Sequence, residues 1–133
     1  MSYLIDTDHV IDHLHDQPAV VALLNRLTAD GIAISIVTYM EVYDGTLREP
    51  DPHAAQEKFH RFLAGIPVLP FSEGVAETCA RLRHNRRTQG KHVNSRALDL
   101  MVAATALHYG LSLVTRNMDD YEDIPGLALY QTS

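Results

Sequence analysis

Residues 3–8, YLIDTD, set three apolar side chains directly against two carboxylates, Asp6 and Asp8. A short apolar run with no polar alternation reads as a strand buried on both faces. Strands of that kind belong to parallel sheets covered by helices. In open parallel sheets ligands bind outside the carboxyl ends of the strands, so Asp6 stands where such a fold builds its site.

The rest of the chain alternates in the same manner. HVIDHLH and PAVVALLNRLTA read as helix, with Pro18 suited to a first helical turn and Gly31 to a C-terminal stop. IAIS is a second strand. TYMEVYDGTL begins another helix, EPDP is a loop, and AAQEKFHRFLAG returns apolar residues at helical spacing. IPVLPF is a brief extended piece between prolines. A long helix runs from Glu73 to about Arg87, and a very apolar one, ALDLMVAATALHYG, closes at Gly110. LSLVT is a third clear strand, RNMDDYEDIPG a loop or short helix, and LALY a last strand. This order predicts an α/β fold: a helix-rich, three-layer-like sandwich around a small, mostly parallel central sheet. No repeat, low-complexity tract or linker divides residues 1–133, and a single domain is expected.

Composition limits the function classes. No apolar run approaches the roughly 18 residues of a membrane span, and the N-terminus lacks the pattern of a signal peptide, so the cytoplasm is the expected location. Cys79 is the single cysteine, which excludes an internal disulfide and a cysteine-based zinc cage and leaves it a packing role. A net charge of -6 argues against binding nucleic acid through the overall field. The basic charge is concentrated: Arg81, Arg83, Arg86, Arg87, Lys91 and Arg96 lie within sixteen positions that hold no acid. That stretch is either a solvated helix face or a contact surface for phosphates.

The acids follow the strand ends. Asp6 closes the first strand, Glu41 lies near the start of the helix after the second, and Asn117, Asp119 and Asp120 follow the third. Asp99 interrupts a segment so apolar that its helix must be largely buried, where an acid needs a partner or a cation. Each has a plainer role available. Asp8 suits the N-cap of the helix it precedes, Thr38 and Glu41 match a capping box, and Asp119 and Asp120 suit a turn. Asp6 and Asp99 resist such roles, being embedded in apolar sequence. Carboxylates brought together raise one another's pKa and hold either protons or a cation. With no cysteine and no paired histidine among the ligands, that cation would be Mg²⁺ or Mn²⁺ serving phosphate chemistry. His9 and His13 lie one helical turn apart, as two zinc ligands would, but a polar helix face explains them better.

YLIDTD, TYMEVYDG, LDLMVAATAL and LVTRNMDDYEDIPGL, in this order over almost the whole chain, resemble the successive motifs of PIN-domain proteins, specifically the VapC-type toxins of toxin–antitoxin pairs. The resemblance implies a metal-dependent endoribonuclease, usually dimeric, silenced by a cognate VapB antitoxin. By position Asp6, Glu41 and Asp99 match the family's core metal-binding acids, Asn117 a place often filled by Asp, Asp120 the acid before the aromatic, and Thr115 the small hydroxyl residue. Two departures stand out: Arg96 lies where relatives often carry an acid, and DTD replaces the commoner DTN.

The expected catalytic set is therefore Asp6, Glu41, Asp99 and Asp120, with Asp6, Asp99, Glu41 and Asn117 holding Mg²⁺ or Mn²⁺. Thr115, Arg116, Arg86 and Arg87 are expected to meet the RNA. Cleavage by water would leave 5′-phosphate and 3′-hydroxyl ends, since no side chain is needed as nucleophile and the RNA 2′-hydroxyl is not required. The expected partners are a VapB-type antitoxin, RNA and a second copy of the chain, with no membrane. Two alternatives compete. DTDHV fits the nucleophile motif of haloacid dehalogenase-type phosphatases, with Asp6 phosphorylated, Asp8 as acid/base, and Lys58 or Lys91 as the lysine. A catalytically silent protein-binding module is the other.

Overall fold

The computed structural model describes residues 1–131. The chain runs β1 (Tyr3–Ile5), α1 (Thr7–Leu14), α2 (Pro18–Leu27), β2 (Ile32–Ser35), α3 (Ile36–Thr46), α4 (Pro52–Phe62), β3 (Val68–Leu69), α5 (Glu73–Thr88), α6 (Ala97–Tyr109) and β4 (Ser112–Val114), with short 3₁₀ turns between. The four strands form one parallel sheet in the order β3-β2-β1-β4.

Two-residue periodicity sorts the strands' apolar residues onto two faces. Ile5, Ile32, Ile34 and Val114 pack with Val10 of α1, Leu24 of α2, Val42 of α3 and Phe59 of α4. Leu4, Ala33, Leu69 and Leu113 pack instead against Val75 and Leu82 of α5 and Leu100 of α6. Helix α6 buries Leu100 and the whole run from Val102 to Ala106, which accounts for its nearly uniform apolar sequence. Gly110 ends it in the left-handed region at φ 67°, where the N–H of Leu111 reaches back to the Ala106 carbonyl at 2.9 Å. Gly31, at φ 89°, turns the chain into β2, and a Cβ there would stand 2.9 Å from the Cα of Met1.

The winding fixes where a site can form. From β1 the chain steps outward through β2 to β3, then returns over α5 and α6 to place β4 on the other side of β1. The connections leaving β1 and β4 therefore diverge, and a crevice opens between the carboxyl ends of these two strands.

The helices and strands lie where the sequence predicts them, and the differences are local. Asp6, not Asp8, is the N-cap of α1, its carboxylate accepting the Thr7 N–H at 2.8 Å. Helix α3 starts two residues earlier than expected and is capped by Ser35, which accepts the Thr38 N–H at 3.0 Å, so Thr38 and Glu41 form no capping box. The LALY segment makes a single parallel bridge, with Leu113 N–H to the Ala128 carbonyl at 2.8 Å and Tyr130 N–H to the Leu113 carbonyl at 2.9 Å, too short a pairing for a strand.

Candidate active site

Asp6 is fixed by the strand-to-helix junction that it caps. One oxygen, Oδ1, accepts the Thr7 N–H; the other, Oδ2, accepts the Thr115 hydroxyl at 2.8 Å and faces the Tyr121 hydroxyl at 3.3 Å. The side chain is buried, and burial first, then the charge of Asp8 and that of Asp99, push its carboxyl up to about 6 against the hydrogen bonds from Thr115 and Thr7.

Asp99 enters from the first turn of α6 and meets the same hydroxyl: Tyr121 lies 3.2 Å from its Oδ1. A phenol carries one proton, so it satisfies one of these carboxylates as donor. The second contact becomes a hydrogen bond only when the other acid brings a proton, and Asp6 is the acid whose proton affinity is raised. Burial and the two carboxylates hold the Tyr121 phenol far above its usual range, so it stays a donor. The far oxygen of Asp99 accepts from Arg96 Nε at 3.3 Å. The Arg96 Nη2 nitrogen is buried without a hydrogen-bond partner among the described residues, a condition that costs about 1–3 kcal/mol.

Asp8 has a different task. Its Oδ2 accepts the backbone N–H of Arg116 at 3.0 Å and the Asn117 amide at 3.3 Å, tying the loop after β4 to α1. Its Oδ1 binds Nδ1 of His9 at 2.9 Å, and His9 is itself buried. Burial pulls the Asp8 carboxyl up, but the hydrogen bonds from His9 and Arg116 outweigh it and hold the acid below its ordinary range. His13 lies against Phe62, with ring centroids 4.8 Å apart. The two histidines therefore form neither a polar face nor a metal pair.

Glu41 projects from α3 toward α1, where the Thr7 hydroxyl donates to its Oε1 at 2.7 Å. Asn117 faces Asp8, and Asp119 and Asp120 sit exposed on the 3₁₀ turn of Met118–Asp120. From this loop it is Tyr121 that meets Asp6 and Asp99. Arg116 is exposed and its guanidinium pairs with Asp12. Arg87 is exposed as well, but Arg86 corrects the expectation of an RNA contact. It is buried, donating from Nε to the His92 carbonyl at 3.0 Å and from Nη1 to Asp123 at 3.1 Å, so its head is committed within the fold.

Sequence reasoning did not single out Tyr121, Thr7 or His9 as neighbours of the acids. Only the aromatic that follows Asp120 gave a signal, and it gave no sign of where the hydroxyl points. The lysines that a phosphatase would need are engaged elsewhere, Lys58 with Asp16 and Lys91 with Asp123.

The donor set is all oxygen and suits a hard divalent cation. Among the described residues no three His, Cys, Asp or Glu side chains are already closed into a cage. Asp6 and Asp99 instead share one hydroxyl proton, and the single arginine present, Arg96, reaches Asp99 alone, so the pair is short of positive charge. Away from these acids, a cavity of about 490 Å³ lined by Ile11, Leu14, Val42, Ala54 and Ala55 opens between α1, α3 and α4.

A parallel sheet wound in both directions, with Asp6 after β1 and Asp99 of α6 meeting on the Tyr121 hydroxyl at its switch point and Glu41 of α3 held beside them on Thr7, defines an α/β protein with acids gathered at the carboxyl end of its sheet. The PIN domain matches residues 3–127, and the chain belongs to the PIN-domain family. It is 28% identical to the tRNA(fMet)-specific endonuclease VapC of Shigella flexneri over 96% of this chain and 95% of that protein. It is 31% identical to Ribonuclease VapC19 of Mycobacterium tuberculosis over 93% and 95%. The fold superposes on the DNA-bound VapBC structure from Salmonella typhimurium with a TM-score of 0.88, at 25% identity and covering 98% of this chain and 97% of that one.

Proposed function

We propose that this chain is a Mg²⁺- or Mn²⁺-dependent endoribonuclease, the toxin of a toxin–antitoxin pair, held inactive by a VapB-type antitoxin. The observation that carries the reading is the meeting of Asp6 and Asp99 on the Tyr121 hydroxyl at the β1/β4 switch point, in a chain whose relatives are named as ribonucleases and endonucleases. The antitoxin enters because the Salmonella relative is a VapBC complex.

Asp6 and Asp99 would hold the cation, with Glu41 at its edge and Asn117 and Asp120 on the rim. A divalent cation so bound supplies a Lewis acid that lowers the pKa of water and offsets charge on phosphate oxygens. Thr115 and the Thr7 N–H keep the Asp6 carboxylate turned toward the crevice, and Tyr121 keeps Asp6 and Asp99 on either side of one oxygen. Asp8 holds the Thr115–Asn117 loop in register with α1, which presents Arg116 to the RNA backbone. With water as the nucleophile, and neither a side chain nor the RNA 2′-hydroxyl attacking, the 3′-oxygen leaves and the products carry 5′-phosphate and 3′-hydroxyl ends.

The test is cleavage of total cellular RNA by the purified chain in Mg²⁺ or Mn²⁺, with EDTA and Asp99→Asn as controls and the product ends mapped. Discrete cuts with 5′-phosphate ends, lost in both controls, are expected. Cleavage that survives EDTA, or products ending in 2′,3′-cyclic phosphate, would overturn the reading.

A further inference from the structure

Two arginines in this molecule, Arg86 buried and Arg96 half-buried, are held in contrasting ways. Arg86 has two donors engaged, on the His92 carbonyl and on Asp123, which is also bound by Lys91. Arg96 reaches Asp99 through Nε alone at 3.3 Å, a single long contact in place of the bidentate fork that arginine and carboxylate form when the pair is structural. Its Nη2 is buried with no partner among the described residues. Arg96 also caps α6 with its backbone only, since its side chain makes no capping hydrogen bond. The sequence around it, VNSRALD, offers no second acid to share the charge.

We propose that Arg96 is a resident counter-ion of Asp99 that competes with the divalent cation for this carboxylate. The inference rests on the cation site proposed above and adds a regulating residue to it. Asp99 has both oxygens engaged, Oδ1 by the Tyr121 hydroxyl and Oδ2 by Arg96. A second cation approaching Asp99 is opposed by the guanidinium charge and meets two oxygens that each already accept a hydrogen bond, one of them from Arg96. The loose hold on Arg96 makes that exchange available, because little hydrogen bonding is lost when the head moves aside and the orphaned Nη2 gains a partner in water or on a phosphate oxygen. The arginine thus keeps the paired acids compensated in the cation-free protein and raises the cation concentration at which they load.

The experiment is direct titration of Mn²⁺ into the purified chain by calorimetry, without RNA. It compares wild type with Arg96→Met, which keeps the apolar stem and removes the charge, and Arg96→Gln, which keeps a donor. Arg26→Met, an exposed residue of α2, controls for net charge, and thermal melts check that each variant folds. Both Arg96 variants should bind Mn²⁺ about tenfold more tightly than wild type, with Arg26→Met unchanged. A purely structural Arg96 would lower the melting temperature and leave Mn²⁺ affinity where it is, which overturns the proposal. Weaker binding in both variants also overturns it, showing that Arg96 organises the site. If wild type and variants alike bind no Mn²⁺, the cation site itself fails and the inference falls with it.

Discussion

At the scale of the residue, Asp6 is pulled both ways: it caps a helix, which favours its ionised form, and it is buried beside two other acids, which favours its protonated form. The second influence wins, with a folded pKa of about 6 against an ordinary 3.8. A carboxyl raised in this way binds more protons folded than unfolded, so its effect on stability is absent below the ordinary value, becomes a loss that grows as pH rises between the two values, and is complete above the folded one. The cation-free protein should therefore lose about 3 kcal/mol from this group between pH 4 and 6. Asp8 runs the other way, its lowered pKa giving stability that is lost as the protein is acidified. Urea unfolding in EDTA at pH 4.5 and 7 should show the Asp6 slope in wild type and not in Asp6→Asn; equal slopes would rule out Asp6 as its source. Tyr121→Phe removes the one proton that Asp6 and Asp99 share and should cost about 1–3 kcal/mol in the same assay at pH 7. Asp6 and Asp99 were legible in the sequence because acid in an apolar run has few alternatives. Tyr121 was not, because its hydroxyl finds Asp6 and Asp99 through tertiary placement that no local spacing records; Arg96, three residues before Asp99, stood out only as a departure from the resemblance.

At the scale of the element, helices and strands were legible because their apolar periods and stops agree: Pro18 opens α2, and Gly110 closes α6. What the periods could not give was the phase of each helix start. A shift of two residues turned Glu41 from a capping group into a side chain of mid-α3 aimed at Thr7, and passed the cap of α1 from Asp8 to Asp6. The basic stretch shows the same limit, since charge clusters in sequence while burial divides it by helix face. Arg86 fastens the end of α5 to the loop that carries Tyr121, by way of Asp123. Arg86→Ala leaves that acid short of a partner and removes a buried stem, and should cost about 2–4 kcal/mol in chemical denaturation. Arg87→Ala, one position on and exposed, should stay within about 0.5 kcal/mol of wild type and weaken RNA binding instead. A reversed pattern, with Arg87 needed for stability and Arg86 for RNA, would contradict the division of the helix described here.

At the scale of the whole molecule, a chain of net charge -6 gathers carboxylates from three distant segments at one end of its sheet. Folding it without a cation works against its own electrostatics, relieved by one hydroxyl, one arginine and a raised proton affinity at Asp6. A cation that binds only the folded state must then stabilise the whole domain, by about 2.7 kcal/mol at one hundred times its dissociation constant. For a domain of this size that corresponds to a rise in melting temperature on the order of 10 °C. Thermal melts at pH 7.5 with and without saturating Mn²⁺ should show this rise in wild type and none in Asp99→Asn. Repeated at pH 5, below the folded pKa of Asp6, the wild-type rise should shrink, because the cation must first displace a proton from a carboxyl that titrates near 6. A rise of equal size in Asp99→Asn would place the cation on some other acids of this acidic surface. No rise in either would mean that the paired carboxylates are served by Tyr121 and Arg96 alone, and with that the hydrolytic reading would lose its physical basis.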